Sequence, residues 1–163
     1  MPLAFIGIDP GITGAVAIIH EFGAIEVHDT PVVEVLKGKK MRHEYSGMQM
    51  AKILGPFAAR DGVIAVLENV WALPEEGAVG AFSFGRGVGL WEGILSAFRI
   101  RYEKVTPQRW KKEMMDGMGK AKDASRLQAQ RLFPKAELDL KKHHGRADAL
   151  LMAEFCKRFC SLK

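Results

Sequence analysis

The stretch FIGIDPGITGAVAII, Phe5 to Ile19, decides the fold. An apolar run closes on a single acid, Asp9; Asp-Pro-Gly and Gly14 then mark a turn, and Ala15 to Ile19 are apolar again. Short apolar runs bounded by turn residues read as buried strands, so the pattern predicts two strands joined by a tight turn. Asp9 then sits at a strand end, on the lip of a core, where an unpaired carboxylate is costly. Either its side chain initiates the turn, or it takes part in chemistry that offsets its burial.

Working outward, GVIAVLEN (Gly62 to Asn69) repeats the opening pattern, an apolar strand ending in one acid, Glu68. Between the two lie AIEVHDT (Ala24 to Thr30), read as a third, half-exposed strand of an antiparallel meander, and the basic loop VLKGKKMRH. A helix is expected over about Glu44 to Arg60, with Met48, Ala51, Leu54, Phe57 and Ala58 at helical spacing. If that helix is a crossover, strand four lies parallel beside strand one, and Asp9 and Glu68 end side by side at one edge of the sheet.

The segment GAVGAFSFGRGVGLWEGIL predicts a helix over Val79 to Phe98. Its glycines cost roughly 1 kcal/mol each relative to alanine, which suggests close approach of another backbone, and their spacing fits no phosphate-binding loop. A fifth strand follows from Ile100 to Val105, then a helix capped by Thr106 and begun by Pro107. Further helices are expected over Lys120 to Phe133 and Gly145 to Phe159. The whole describes an α/β fold, a mixed five-stranded sheet flanked by helices, in a single domain over residues 1–163.

Composition narrows the function. Residues 1–98 carry 7 Lys/Arg against 11 Asp/Glu, net −4, whereas 99–163 carry 17 against 8, net +9. An acidic half joined to a basic half fits a nucleic-acid protein whose carboxylates do something other than bind phosphate. No apolar run approaches membrane-spanning length and no basic leader opens the chain, so a soluble, cytoplasmic protein is expected. Cys156 and Cys160, one helical turn apart, read as packed, reduced thiols.

Two carboxylates at adjacent strand ends repel unless cations lie between them. A third acid, Asp148, sits in RADALLMAEF, where apolar neighbours bury the surrounding helix face. Hard oxygen ligands suit Mg²⁺ or Mn²⁺, and a pair of such ions stabilises the attacking and leaving oxygens of a phosphoryl displacement.

Taken as a set, GIDPGITG, LEN with Trp71 three positions after the glutamate, FGRGVGLWEGIL, VTPQRWKK and HHGRADALLMAE resemble the RuvC-type Holliday-junction resolvases, especially the small phage-encoded ones. The resemblance covers nearly the whole chain. It implies a ribonuclease-H-like fold, a homodimer formed through the Gly-rich helix, and Mg²⁺-dependent cleavage of branched DNA leaving 5′-phosphate and 3′-hydroxyl ends. It also implies a location in the cytoplasm of the cell, or of the host if the gene is a phage's. By the same resemblance Asp9, Glu68 and Asp148 match the metal-binding carboxylates. A fourth family ligand, an aspartate or sometimes a histidine, often lies three residues before the last aspartate, a place held here by Gly145. His144, four residues before Asp148 and on its helix face, is the expected substitute, ahead of His143. Trp71 matches an aromatic that stacks on a base near the junction centre, or it covers the core. Lys37, Lys39, Lys40 and Arg42, with Arg109, Lys111, Lys112, Lys120 and Lys122, are expected to contact the DNA backbone.

Other readings compete. Asp-x-Gly-x-Thr-Gly also resembles the first phosphate motif of actin-like ATPases and sugar kinases, but those need two such domains. A junction-binding protein that does not cut, and a nuclease for flaps, forks or structured RNA, share the same residue set.

Overall fold

The computed structural model describes residues 3–71, 77–119 and 123–160. Seven strands and five α-helices follow one another along the described chain. Strands β1 (Ala4–Asp9), β2 (Ala15–His20) and β3 (Ile25–Asp29) form the meander. Then come β4 (Val32–Lys37), β5 (Lys40–Tyr45), helix α1 (Gly47–Leu54) and β6 (Val63–Glu68). After them run α2 (Gly77–Ala97), β7 (Arg101–Val105), α3 (Pro107–Met114), α4 (Ala124–Leu132) and α5 (His144–Phe159).

The main sheet has five strands in the order β3-β2-β1-β6-β7. β1 pairs antiparallel with β2 and parallel with β6, in a register that sets Ile8 beside Leu67. The central strands are buried on both faces, as expected where helices cover each side. On one face Phe5, Ala15, Ala17, Ile64 and Val66 pack against α5 and against Trp110 and Met114 of α3. On the other, Ile6, Ile8, Val16, Ile18 and Leu67 pack against Met50 and Leu54 of α1 and Trp91 and Leu95 of α2. This alternation follows from the two-residue period of a strand. Both cysteines are free and buried in the first layer.

The basic segment departs from expectation. Rather than a loop leading into a helix at Glu44, it is a hairpin of β4 and β5 forming its own two-stranded sheet, with Leu36 opposite Met41 and Lys37 opposite Lys40. The valines of VVEVLK favour extended backbone, and the turn is made by Gly38, at φ +64°, and Lys39. The helix therefore starts only at Gly47, after a strand that ends on the buried Tyr45. The Tyr45 hydroxyl donates a hydrogen bond to the Pro10 carbonyl at 3.3 Å. It also lies against Gly87 of α2, where an added Cβ would meet the Tyr45 hydroxyl and sit 2.6 Å from the Pro10 oxygen. Hairpin, α2 and the turn after Asp9 thus meet at one point.

The remaining helix bounds shift by a few residues. α2 begins at Gly77 and ends at Ala97, α4 begins at Ala124, and α5 begins one residue early, at His144. Thr106 caps α3 as expected, its hydroxyl accepting from the Arg109 amide.

Candidate active site

Parallel pairing of β1 with β6 brings Asp9 and Glu68 to the same edge of the sheet, and α5, packed across these strands, brings Asp148 to them. Asp9 initiates the turn, yet that contact does not offset its burial. Its Oδ1 accepts a hydrogen bond from the Gly11 amide at 3.1 Å, the turn-initiating contact. Burial first, then the charges of Glu68 and Asp148, nevertheless push its carboxyl up to about 7, against the pull of that hydrogen bond and of Lys111. Glu68, only 8% exposed, is raised by burial and by Asp148; a hydrogen bond from the Trp110 indole N–H to its Oε1, at 2.9 Å, and Lys111 oppose the rise. Asp148 is raised by burial, opposed by Lys111, by a hydrogen bond from Ser125 and by His144. Its Oδ1 is buried without a hydrogen-bond partner among the described residues.

Three carboxylates from three elements therefore share a poorly solvated spot, each resisting ionisation, with one oxygen of Asp148 left unpartnered. Among the described residues no three His, Cys, Asp or Glu side chains close into a finished metal site. The donors are all oxygen and the orphaned Oδ1 lacks a partner, so the set fits a hard divalent cation better than a proton or a softer metal.

The place three residues before Asp148, Gly145, is closed to a side chain. A Cβ at Gly145 would lie 2.5 Å from the Thr13 carbonyl oxygen, because the first turn of α5 rests on the Thr13–Gly14 backbone. His144 and His143 face different ways. The His144 Nε2 lies 3.5 Å from Asp123 Oδ1, and its charge is felt at Asp148. His143 is buried, its Nδ1 accepting from the Leu140 amide at 3.3 Å, with Asp29 and Arg146 as its charged neighbours.

The other expected contacts sort by exposure. Trp71 is 81% exposed, so it does not cover the core. It lines a groove of about 250 Å³ with Asn69, Phe84, Gly85, Val88 and Lys104. Lys39, Lys40 and Arg42 are exposed on the hairpin, whereas Lys37 pairs with Glu44 at 2.5 Å. The Arg109 guanidinium stacks on the Phe155 ring at 5.6 Å. Lys112 is exposed, and Lys120 and Lys122 lie outside the described residues. Lys111 acts differently from a plain phosphate contact: its charge reaches all three carboxylates, and its ammonium lies 5.2 Å from the Trp110 ring centre. Trp110 went unmarked in the sequence. The available signal was the spacing after Pro107, which puts Trp110 and Met114 four residues apart on the inward face of α3.

No family model matches the chain. Over 90 residues, 54% of its length, it is 37% identical to the chloroplastic Holliday junction resolvase MOC1 of Chlamydomonas reinhardtii, and the match spans a tenth of that protein. RuvC of Thermus thermophilus in complex with a Holliday junction substrate superposes with a TM-score of 0.58 at 15% identity, over 93% of this chain and 90% of that one. A second Thermus thermophilus RuvC structure gives 0.57 at 18% identity, over 95% of each chain. The resemblance read from the sequence thus holds at two levels: the chain has the RuvC fold, and over half its length its sequence is similar to that of a Holliday junction resolvase.

Proposed function

We propose that this protein is a metal-dependent, structure-selective endonuclease that resolves four-way DNA junctions by phosphodiester hydrolysis, leaving 5′-phosphate and 3′-hydroxyl ends. One observation carries the reading: Asp9, Glu68 and Asp148 converge with their carboxyls raised by burial, and an Asp148 oxygen is unpartnered. These three, with His144 beside Asp148, are the residues to hold Mg²⁺ or Mn²⁺, two ions in the full site. Bound there, the cations would offset the carboxylate repulsion and stabilise negative charge on the scissile phosphate. Lys111 supports the same site from its rim with a positive charge.

The decisive experiment compares a synthetic mobile junction with a duplex, a flap and a single strand, each incubated with Mg²⁺ and run on a denaturing gel. Selective, symmetric cutting of the junction is expected. Equal cutting of plain duplex, or no cutting of any substrate, would sink the proposal, and preferential cutting of the flap would move it to other branched DNA.

Four-way junctions need two cuts, and one site per chain calls for two chains related by a two-fold axis. α2 supplies the surface. Val88, Leu90 and Leu95 pack in the chain's own core, but Val79 and Phe82 are 71% and 76% exposed. Gly85, Gly89 and Gly93, four residues apart, have open space where a side chain would be. Such a stripe lets a second α2 approach closely.

The DNA contacts yield two expected results. Changing Lys39 and Lys40 to alanine should weaken binding to all junction sequences alike and reduce the slope of log affinity against log salt by about 2, one for each lost phosphate contact. Lys37→Ala should change it less, because that ammonium is already paired with Glu44. Trp71→Ala should weaken cutting by roughly 5- to 150-fold on a fully paired junction, the equivalent of one lost base stack of about 1–3 kcal/mol. On a junction with unpaired bases at the crossover the loss should be smaller, with the melting temperature unchanged for so exposed a side chain. Equal losses on both substrates would remove the stacking role.

A further inference from the structure

We infer that Trp110 is a positioning residue for the metal centre. Its indole N–H occupies Glu68 Oε1, fixing the carboxylate so that one oxygen, Oε2, is presented to the cation. The inference rests on the proposed nuclease reading and adds a residue that neither the carboxylate pattern nor the basic surface brings into it.

The geometry is specific. The indole donates at 2.9 Å to Oε1, and this bond joins residues 42 apart in the chain, both of them buried. An indole N–H donates and cannot accept, so in this contact Glu68 Oε1 is the acceptor and one of its lone pairs is engaged. The contrast with Trp91 shows that burial alone does not supply such a bond. Trp91 is equally buried, yet its Nε1 has no partner among the described residues.

Trp110 is itself held firmly. Thr106 and Pro107 fix the start of α3 directly after β7, and Trp110 lies one turn in, fully buried in the layer formed with α5. A carboxylate at a strand end has freedom about three side-chain bonds, and ordering it during metal binding costs affinity. With Oε1 tied to a rigid indole, much of that ordering is done by folding. Outer groups that hold ligating carboxylates in this way typically change metal affinity or activity by 10- to 100-fold when removed. The same ring also lies beside the Lys111 ammonium, so the cation at the rim and the ligand inside are placed by one side chain.

The test is Trp110→Phe, which keeps an aromatic ring in the core while removing the N–H together with part of the ring volume, so the comparison with Met114→Leu separates lost packing from the lost hydrogen bond. Binding of Mn²⁺ is measured directly by calorimetry on the protein without DNA, and the Mg²⁺ concentration for half-maximal junction cutting is measured in parallel. Expected for Trp110→Phe are Mn²⁺ binding weakened by about 10- to 100-fold, a matching rise in the Mg²⁺ requirement, and junction affinity in EDTA equal to that of the parent. In the double variant Trp110→Phe/Glu68→Gln, metal binding should be no weaker than in Glu68→Gln alone. Met114→Leu, a packing change on the same helix face, serves as control and should leave metal binding unchanged.

Parent-like Mn²⁺ binding by Trp110→Phe would overturn the inference and leave the nuclease reading standing. Absence of metal binding and cutting by the parent itself would overturn both. If Trp110→Phe does not fold, the indole N–H resonance of the parent decides: it should move on Mn²⁺-free Mg²⁺ addition and in Glu68→Gln, and a resonance indifferent to both would refute the contact.

Discussion

Asp9→Asn is expected to lose junction cutting by at least about a hundredfold and, in EDTA at pH 8, to melt at a higher temperature than the parent. The two effects come from one cause. In the unfolded chain Asp9 ionises near its ordinary value of 3.8, whereas in the folded protein its carboxyl titrates at about 7. Between those values the folded state holds a proton that the unfolded state has released. The metal-free fold therefore loses stability as pH rises from about 4 to about 7, and the loss is complete above that, at up to roughly 4 kcal/mol. Asparagine keeps the acceptor for the Gly11 amide and removes the buried charge. Metal should reverse the comparison: Mg²⁺ should raise the melting temperature of the parent more at pH 8 than at pH 6, because cation and proton compete for the same oxygens. Thermal melts at the two pH values, with EDTA or Mg²⁺, read both effects. Junction binding in EDTA should be unaltered, since it depends on Lys and Arg contacts to phosphate. An Asp9→Asn protein that cuts at near the parent rate would remove the carboxylates from the chemistry.

Gly93→Leu is expected to abolish resolution without harming the fold. The position is exposed in an α-helix and has open space around the missing Cβ, so a side chain there replaces a poor helix former at a gain of up to about 1 kcal/mol. Gly93 also does not line the groove beside Trp71. Its one assigned task is to let another α2 come close. Sedimentation should find the parent dimeric and Gly93→Leu monomeric at micromolar concentration, with an unchanged or raised melting temperature. Paired cutting of the junction should fall to background. A Gly93→Leu protein that stays dimeric and cuts both strands would place the contact elsewhere.

The carboxylates were legible because each stands alone in apolar sequence, where burial must be explained, and because a crossover helix forces Asp9 and Glu68 to one edge. The hairpin was hidden by its own turn. Gly38, Lys39 and Lys40 break the alternation that Val32 to Leu36 begins, and basic residues in a strand look like a loop. Gly145 could be noticed as a departure but not explained, since its reason is the Thr13 backbone, 132 positions away in the chain but adjacent in space. Trp110 is the same kind of case: the spacing places it on an inward face, but only the packing of α3 against the end of β6 says which polar group it finds there. In α2 the glycines pointed to a close backbone approach but not to the face it would use. Which of its residues stay outside depends on where the helix meets the sheet: Val88, Leu90 and Leu95 pack against the core, and Val79 and Phe82 do not.

The meeting of Tyr45 with Gly87 and Pro10 has a genetic consequence. The hairpin, the exposed helix and the turn behind Asp9 have separate tasks, yet they touch through one phenol ring and one missing methyl group. A Gly87→Ala change therefore cannot be confined to any of them. It forces the ring aside, and three phenotypes should be inherited together: a looser grip, poorer subunit pairing and slower scission. On the proposed reading, lineages that alter the hairpin to suit new DNA should repack this seam at the same time, so changes at 45 and 87 should arrive as pairs.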